Sequence, residues 1–167
     1  MTAGAACREE GDIKIASLSF EGVEQVDEGA LKNALQTKEG SWLPWGRQRY
    51  FDRTAFDADL RRIEAFYRDR GFAEARVGSF DVAPNDAQDE VEISLQIFEG
   101  EPVRVAAIQL NGFEALSEDE METLRRTLPL QPDRPLDRQL AIASRDRAIN
   151  VLRDKGYPYA DVAISDE

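Results

Sequence analysis

The 167-residue sequence predicts an α+β fold built as two tandem β-α-α-β-β units, the second lacking its last strand. Three observations predict it. The stretch Tyr50–Val77 reads as an amphipathic helix, a glycine stop and a strand. A weaker copy of that unit recurs near the C-terminus. Between the two, Val91, Ile93, Leu95 and Ile97 alternate with Glu92, Ser94 and Gln96, the period of a strand with one dry and one wet face.

The central helix is expected from about Phe51 to Arg70. Phe56, Leu60, Ile63 and Tyr67 fall on one face at helical spacing, with Phe66 beside them. Asp52 can cap its start, and Asp57 and Asp59 in the early turns and Arg68 and Arg70 in the last suit the helix dipole. Gly71 tolerates the left-handed conformation that ends a helix, and Ala73–Val82 leaves as a strand, broken or bulged at Gly78. Turn formers from Pro84 to Asp89 lead into the alternating strand.

Before this centre, Ile13, Ile15, Leu18 and Phe20 suggest a first strand whose alternation slips at Ala16-Ser17. Asp27 caps a helix that carries Leu31, Ala34 and Leu35 and that Gly40 closes. Residues 41–49 form a loop with both tryptophans. After a short hinge at Phe98–Pro102 the pattern restarts. Val103–Leu110 reads as a strand, Ser117 and Glu120 as a capping box, Asp137 as the cap of a helix carrying Leu140, Ala148, Val151 and Leu152, and Tyr157–Ile164 as a strand.

The repeat is explicit in the spacings. Gly22 and Asp27 correspond to Gly112 and Ser117 at an offset of 90 (112 − 22; 117 − 27). Gly71-Phe72 corresponds to Gly156-Tyr157 at 85 (156 − 71), as do Ala75 and Val77 to Ala160 and Val162. Agreement at this many positions indicates a duplicated supersecondary unit. The expected organisation is a flexible leader over 1–11, a first unit over 12–99 and a second over 100–167. The second counterpart of Val91 would fall at 176 (91 + 85), past Glu167, so the chain reads as a fragment of a longer protein.

Composition narrows the function. The net charge of −12, with every basic cluster interleaved by acids, argues against nucleic acid as a partner. Arg61, Arg62, Arg68 and Arg70 alternate with Asp59, Glu64 and Asp69 and read as the solvated face of a helix. There is no histidine, so Ser-His-Asp and Cys-His nucleophilic sites are excluded. No phosphate-binding glycine motif and no metal-ligand spacing occurs. The expectation is a protein that is not an enzyme and uses no cofactor or metal. No apolar run approaches the ~20 residues of a membrane-spanning helix. Cys7, after Gly4-Ala5-Ala6, has two readings: the lipidated residue of a lipoprotein signal, or an incidental cysteine in a leader.

The order β-α-α-β-β, twice, with Phe20-Glu21-Gly22-Val23, the Gly71–Val77 turn and Val91–Gly100, resembles the POTRA domains of the BamA/TamA outer-membrane superfamily. The likeness covers about residues 12 to 167. It implies periplasmic domains followed, in the parent chain, by a C-terminal β-barrel in the outer membrane. It implies a docking module of an outer-membrane insertase or translocase that binds unfolded outer-membrane or secreted polypeptides and accessory assembly proteins. A POTRA module of a two-partner secretion transporter, or a divisome-type interaction domain without a transport role, are the alternatives. The family's sheet order places the second strand at an edge, where unpaired backbone groups can accept an extended peptide. That assigns Ala75, Arg76, Val77, Gly78, Ser79 and Phe80 as candidate peptide-binding residues. Charged residues and the Gly78 irregularity equally suit a blunted, protected edge. Trp42, Leu43 and Trp45 are a second candidate contact surface, or a cover for their own domain's helices.

Overall fold

Alternation makes the strand Glu90–Phe98 the centre of the first unit. In the computed structural model, which describes residues 13–41 and 46–165, it is the middle of a three-stranded sheet. In chain order the elements are β1 (Lys14–Glu21), α1 (Glu28–Ala34), α2 (Arg53–Arg68), β2 (Arg76–Pro84), β3 (Glu90–Phe98), α3 (Glu118–Thr127) and α4 (Arg138–Asp154). The sheet order is β1-β3-β2, with β1 parallel and β2 antiparallel to β3. Val91, Ile93, Leu95 and Ile97 are buried, while Glu92, Gln96 and Phe98 are exposed. The sheet therefore has one covered and one open face.

The slip read at Ala16-Ser17 is a register irregularity between Ile15 and Ser17 against Val91 and Glu92. An extra residue there returns Leu18 and Phe20 to the face of Ile93 and Leu95, so the apolar set stays on one side despite the imperfect pattern. Ile15, Leu18, Leu31, Leu35, Phe56, Ile63, Phe66 and Tyr67 complete the core.

Helix α1 ends earlier than Gly40. It stops at Ala34, with Leu35 already extended, because the next backbone donors are taken by a side chain. The N–H groups of Gln36 and Thr37 donate to the Asp59 carboxylate at 3.0 and 2.6 Å. Asp59 is itself buried in α2, which corrects its reading as part of a solvated helix face. An acid at that depth is tolerated because both its oxygens accept hydrogen bonds, from the Gln36 and Thr37 N–H groups and from Arg62 Nη1 at 2.6 Å. Asp52 caps α2 as expected, accepting from the Ala55 N–H at 3.0 Å.

Contacts divide the chain into two units, one reaching Tyr67 and including Glu74–Gly100, the other comprising Arg68–Ala73 and Glu101–Glu167. The second unit packs α3 against α4 through Phe113, Leu116, Leu124, Leu128, Ala148 and Leu152. Asp137 caps α4, accepting from the N–H groups of Gln139 and Leu140. Of the apolar residues read on this helix, Ala148 and Leu152 are buried and Leu140 is exposed. Glu120 accepts from the Ser117 N–H at 3.0 Å and pairs with Lys155. The Lys155 ammonium first, and the Ser117 donors second, lower the Glu120 carboxyl to about 2.

Residues 103–110 and 157–164 were expected as strands. Among the described residues they form none beyond an isolated bridge between Arg104 and Pro135. The first unit supplies the reason. There β1 and β2 do not pair with each other; each pairs only with β3 between them. Among the described residues the second unit has no strand that fills the place of β3, so its two flanking segments lack the central partner that β1 and β2 share. Ile108, Leu110, Ala160 and Val162 nevertheless pack on that unit's core, whereas Val103, Tyr157 and Ile164 are exposed.

Candidate functional site

The sheet order leaves β2 at an edge. Its backbone directions follow from the hairpin that joins it to β3. The Asn85 N–H donates to the Glu90 carbonyl at 3.0 Å, so Asn85 faces β3. Antiparallel pairs alternate. Counting back by twos along the register turns Ala83, Asp81 and Ser79 toward β3 and aims the N–H groups of Val82 and Phe80 outward. Pro84 also falls at an outward position, the place where a proline costs a strand no ladder bond. Among the described residues no hydrogen bond reaches β2 from that side. The other edge is covered at its start. Ile15 receives the Gly40 N–H and donates to the Arg49 carbonyl, and the Phe51 N–H donates to the Ile13 carbonyl.

Side chains along β2 divide between the two faces. Val77, Phe80 and Val82 stand opposite Ile97, Leu95 and Ile93 on the helix side. Phe80 meets the ring of Phe56 edge-on, with centroids 5.2 Å apart, and the Arg53 guanidinium lies 6.0 Å from its centroid. Phe80 is still 41% exposed, unusual for an aromatic ring on the covered face of a sheet. Arg76, Ser79 and Asp81 stand on the open face. Ser79 donates to the Gln96 side chain at 3.2 Å.

Gly78 is the bulge anticipated from sequence. The register shifts between Val77 and Ser79, and the Phe98 ring lies directly on Gly78 where a Cβ would stand. The Arg76 guanidinium sits 5.1 Å from the centre of that ring. The bulge, its aromatic cover and the cation form one assembly at one end of the edge, and Pro84 closes the other.

The family model of the POTRA domain, described as "Surface antigen variable number repeat", matches residues 13–100 and again 103–167. The chain belongs to the POTRA family. Two POTRA repeats thus account for the offsets of 85 and 90 in the sequence. The outer membrane protein assembly factor BamA of Neisseria meningitidis is 23% identical over 152 residues, covering 90% of this chain and 19% of the relative. A putative outer membrane protein assembly factor of Treponema pallidum is 27% identical over 112 residues, 65% of this chain and 13% of the relative. The chain therefore spans less than a fifth of the curated relatives it matches. Among solved structures, POTRA domains 3–5 of Haemophilus influenzae BamA are similar at 25% identity and TM-score 0.48, over 90% of this chain and 58% of that one. The N-terminal domain of Omp85 from Thermosynechococcus elongatus is similar at 21% identity and TM-score 0.43, over 92% and 56%.

Of the candidate peptide-binding residues in this POTRA repeat, Arg76, Val77, Gly78, Ser79 and Phe80 lie in β2. Ala75 does not. It precedes the strand, because Ala73 and Glu74 are still in the turn that follows Gly71. Trp42, Leu43 and Trp45, and Cys7, fall outside the described residues. Among the described residues no cluster of acids and cysteine is placed to hold a metal, and no helix is long and apolar enough to cross a membrane.

Besides Asp59, sequence reasoning missed a second buried acid. Glu99, read only as part of a hinge, is buried. It accepts from the Tyr67 hydroxyl at 2.9 Å and from the N–H groups of Glu24 and Gln25 at 3.1 and 3.0 Å. The available signal was its place one residue beyond the exposed end of an alternating strand, where an acid returns to the covered side.

Proposed function

We propose that this chain is the periplasmic docking part of an outer-membrane protein insertase or translocase, and that it acts by holding extended polypeptide without chemistry of its own. Clients are unfolded outer-membrane or secreted polypeptides, and the parent chain continues into an outer-membrane β-barrel. Family membership and the similarity to BamA support this reading. The observation that carries the binding mode is the free edge of β2, where Phe80 and Val82 aim their N–H groups outward. Backbone pairing is largely blind to side chains, which suits a factor that handles many clients. The features that blunt this edge, the Gly78 bulge and Pro84, sit at its two ends and leave the stretch between them open.

Proline tests the mode. Val82→Pro removes an outward donor and keeps an apolar side chain, so β2 stays paired with β3. It is expected to abolish crosslinking of the folded protein to an unfolded barrel segment. Ser79→Pro removes a donor that faces β3 and is expected to damage the sheet itself. A folded Val82→Pro protein that crosslinks as efficiently as wild type would falsify edge pairing, and attention would move to Trp42 and Trp45.

A further inference from the structure

The open stretch of the β2 edge is short and is not neutral toward its ligand. It runs from Ser79 to Ala83, between the Gly78 bulge under Phe98 and Pro84, enough for about five paired residues. A residue paired with a given β2 position points to the same face as that position. A ligand residue beside Phe80 therefore lies on the helix side, against a ring that is 41% exposed and already backed by Phe56. A ligand residue beside Asp81 lies on the open face, next to an exposed carboxylate and across from Glu92 and Ser94 on β3.

Resting on the docking mode proposed above, we infer that the β2 edge selects a short extended segment that places an aromatic residue beside Phe80 and a neutral or basic one beside Asp81. Phe80 supplies the selectivity and the outward N–H groups supply the pairing. The observations behind the two are independent. The Phe80 ring leaves 41% of its surface open although Phe56, at 1% exposure, closes the core beneath it. The net charge of −12 disfavours acidic ligands at long range, in the same sense as Asp81 does at contact.

The test uses short labelled peptides with an alternating threonine-valine frame, titrated into the 167-residue chain and read by fluorescence anisotropy. The central residue is phenylalanine or threonine, and its neighbour is lysine or glutamate. Wild type is expected to bind the phenylalanine-lysine peptide about fivefold more tightly than the threonine-lysine one, and more weakly when glutamate replaces lysine. Phe80→Thr keeps a β-branched strand residue and is expected to bind both lysine peptides alike, at the level of the weaker wild-type pair. Binding to wild type without preference for phenylalanine overturns the selectivity and leaves the docking mode standing. A preference that survives in Phe80→Thr also overturns it, because the aromatic contact then lies elsewhere. Absence of binding by any peptide overturns both.

Discussion

The Tyr67 hydroxyl donates to the Glu99 carboxylate across 2.9 Å inside the first repeat. That bond ties α2 to the end of β3. The same carboxylate takes the N–H groups of Glu24 and Gln25, so the loop after β1 is held too. Removing the acceptor strands three donors, whereas removing the hydroxyl leaves two of them satisfied. Glu99→Ala is therefore expected to cost about 3 kcal/mol and Tyr67→Phe about 1 kcal/mol in denaturant unfolding. Equal losses in the two variants would contradict this apportionment.

The same node has a pH signature. Burial, then the bond to Glu99 and that carboxylate's charge, push the Tyr67 phenol above its ordinary 10.0. A group raised on folding contributes stability that is whole below the unfolded value and lost as pH climbs toward the folded one. The protein is expected to lose stability above about pH 10, and Tyr67→Phe to lose less of it there. Alkaline absorbance titration of wild type against the variant should show the missing phenol as the late-ionising one.

Asp59 acts at the opposite end of the scale. Burial alone raises its carboxyl, but the Gln36 and Thr37 donors and Arg62 outweigh it, and the group is held below its ordinary 3.8. A carboxyl depressed on folding contributes stability that is present above the unfolded value and disappears as pH falls through the folded one. Asp59→Asn is expected to cost about 2 kcal/mol near neutrality, with the gap to wild type closing below about pH 4. A constant gap across that range would show that the acid acts through shape alone.

How much of this was legible in the sequence differs by residue. The alternation of Val91–Ile97 made β3 plain, and a slipped pattern at Ala16 and a lone Gly78 marked real irregularities in register. Helix caps at Asp27, Asp52 and Asp137 were local chemistry and were read directly. Asp59 was not legible, because an acid on a helix looks solvated until the donors it meets, from residues distant in sequence, are known. Glu99 was signalled only by the alternation of β3 carried one residue further, and its partners Tyr67, Glu24 and Gln25 were not. The start of β2 at Arg76 instead of Ala73 has the same character, since the turn at Ala73-Glu74 is set by how the chain leaves Gly71. Phe80 was named for its backbone, and its aromatic partner Phe56, from another element, is visible only in the fold.

Gly71 has φ +89°, the left-handed conformation its place after α2 demanded. Gly71→Val puts a β-branched side chain there and is expected to cost at least about 1–2 kcal/mol. A thermal melt superimposable on wild type would contradict the strain.

The central claim, that β2 offers outward backbone groups to an extended client, is tested most directly by residue-resolved amide hydrogen exchange. In the free protein, the Ser79, Asp81 and Ala83 amides should exchange slowly, since they face β3, while those of Phe80 and Val82 should exchange fast. Saturation with an unfolded barrel segment should slow Phe80 and Val82 specifically. If both amides still exchange at their free rates while the segment is bound, the client is held elsewhere and the account is wrong.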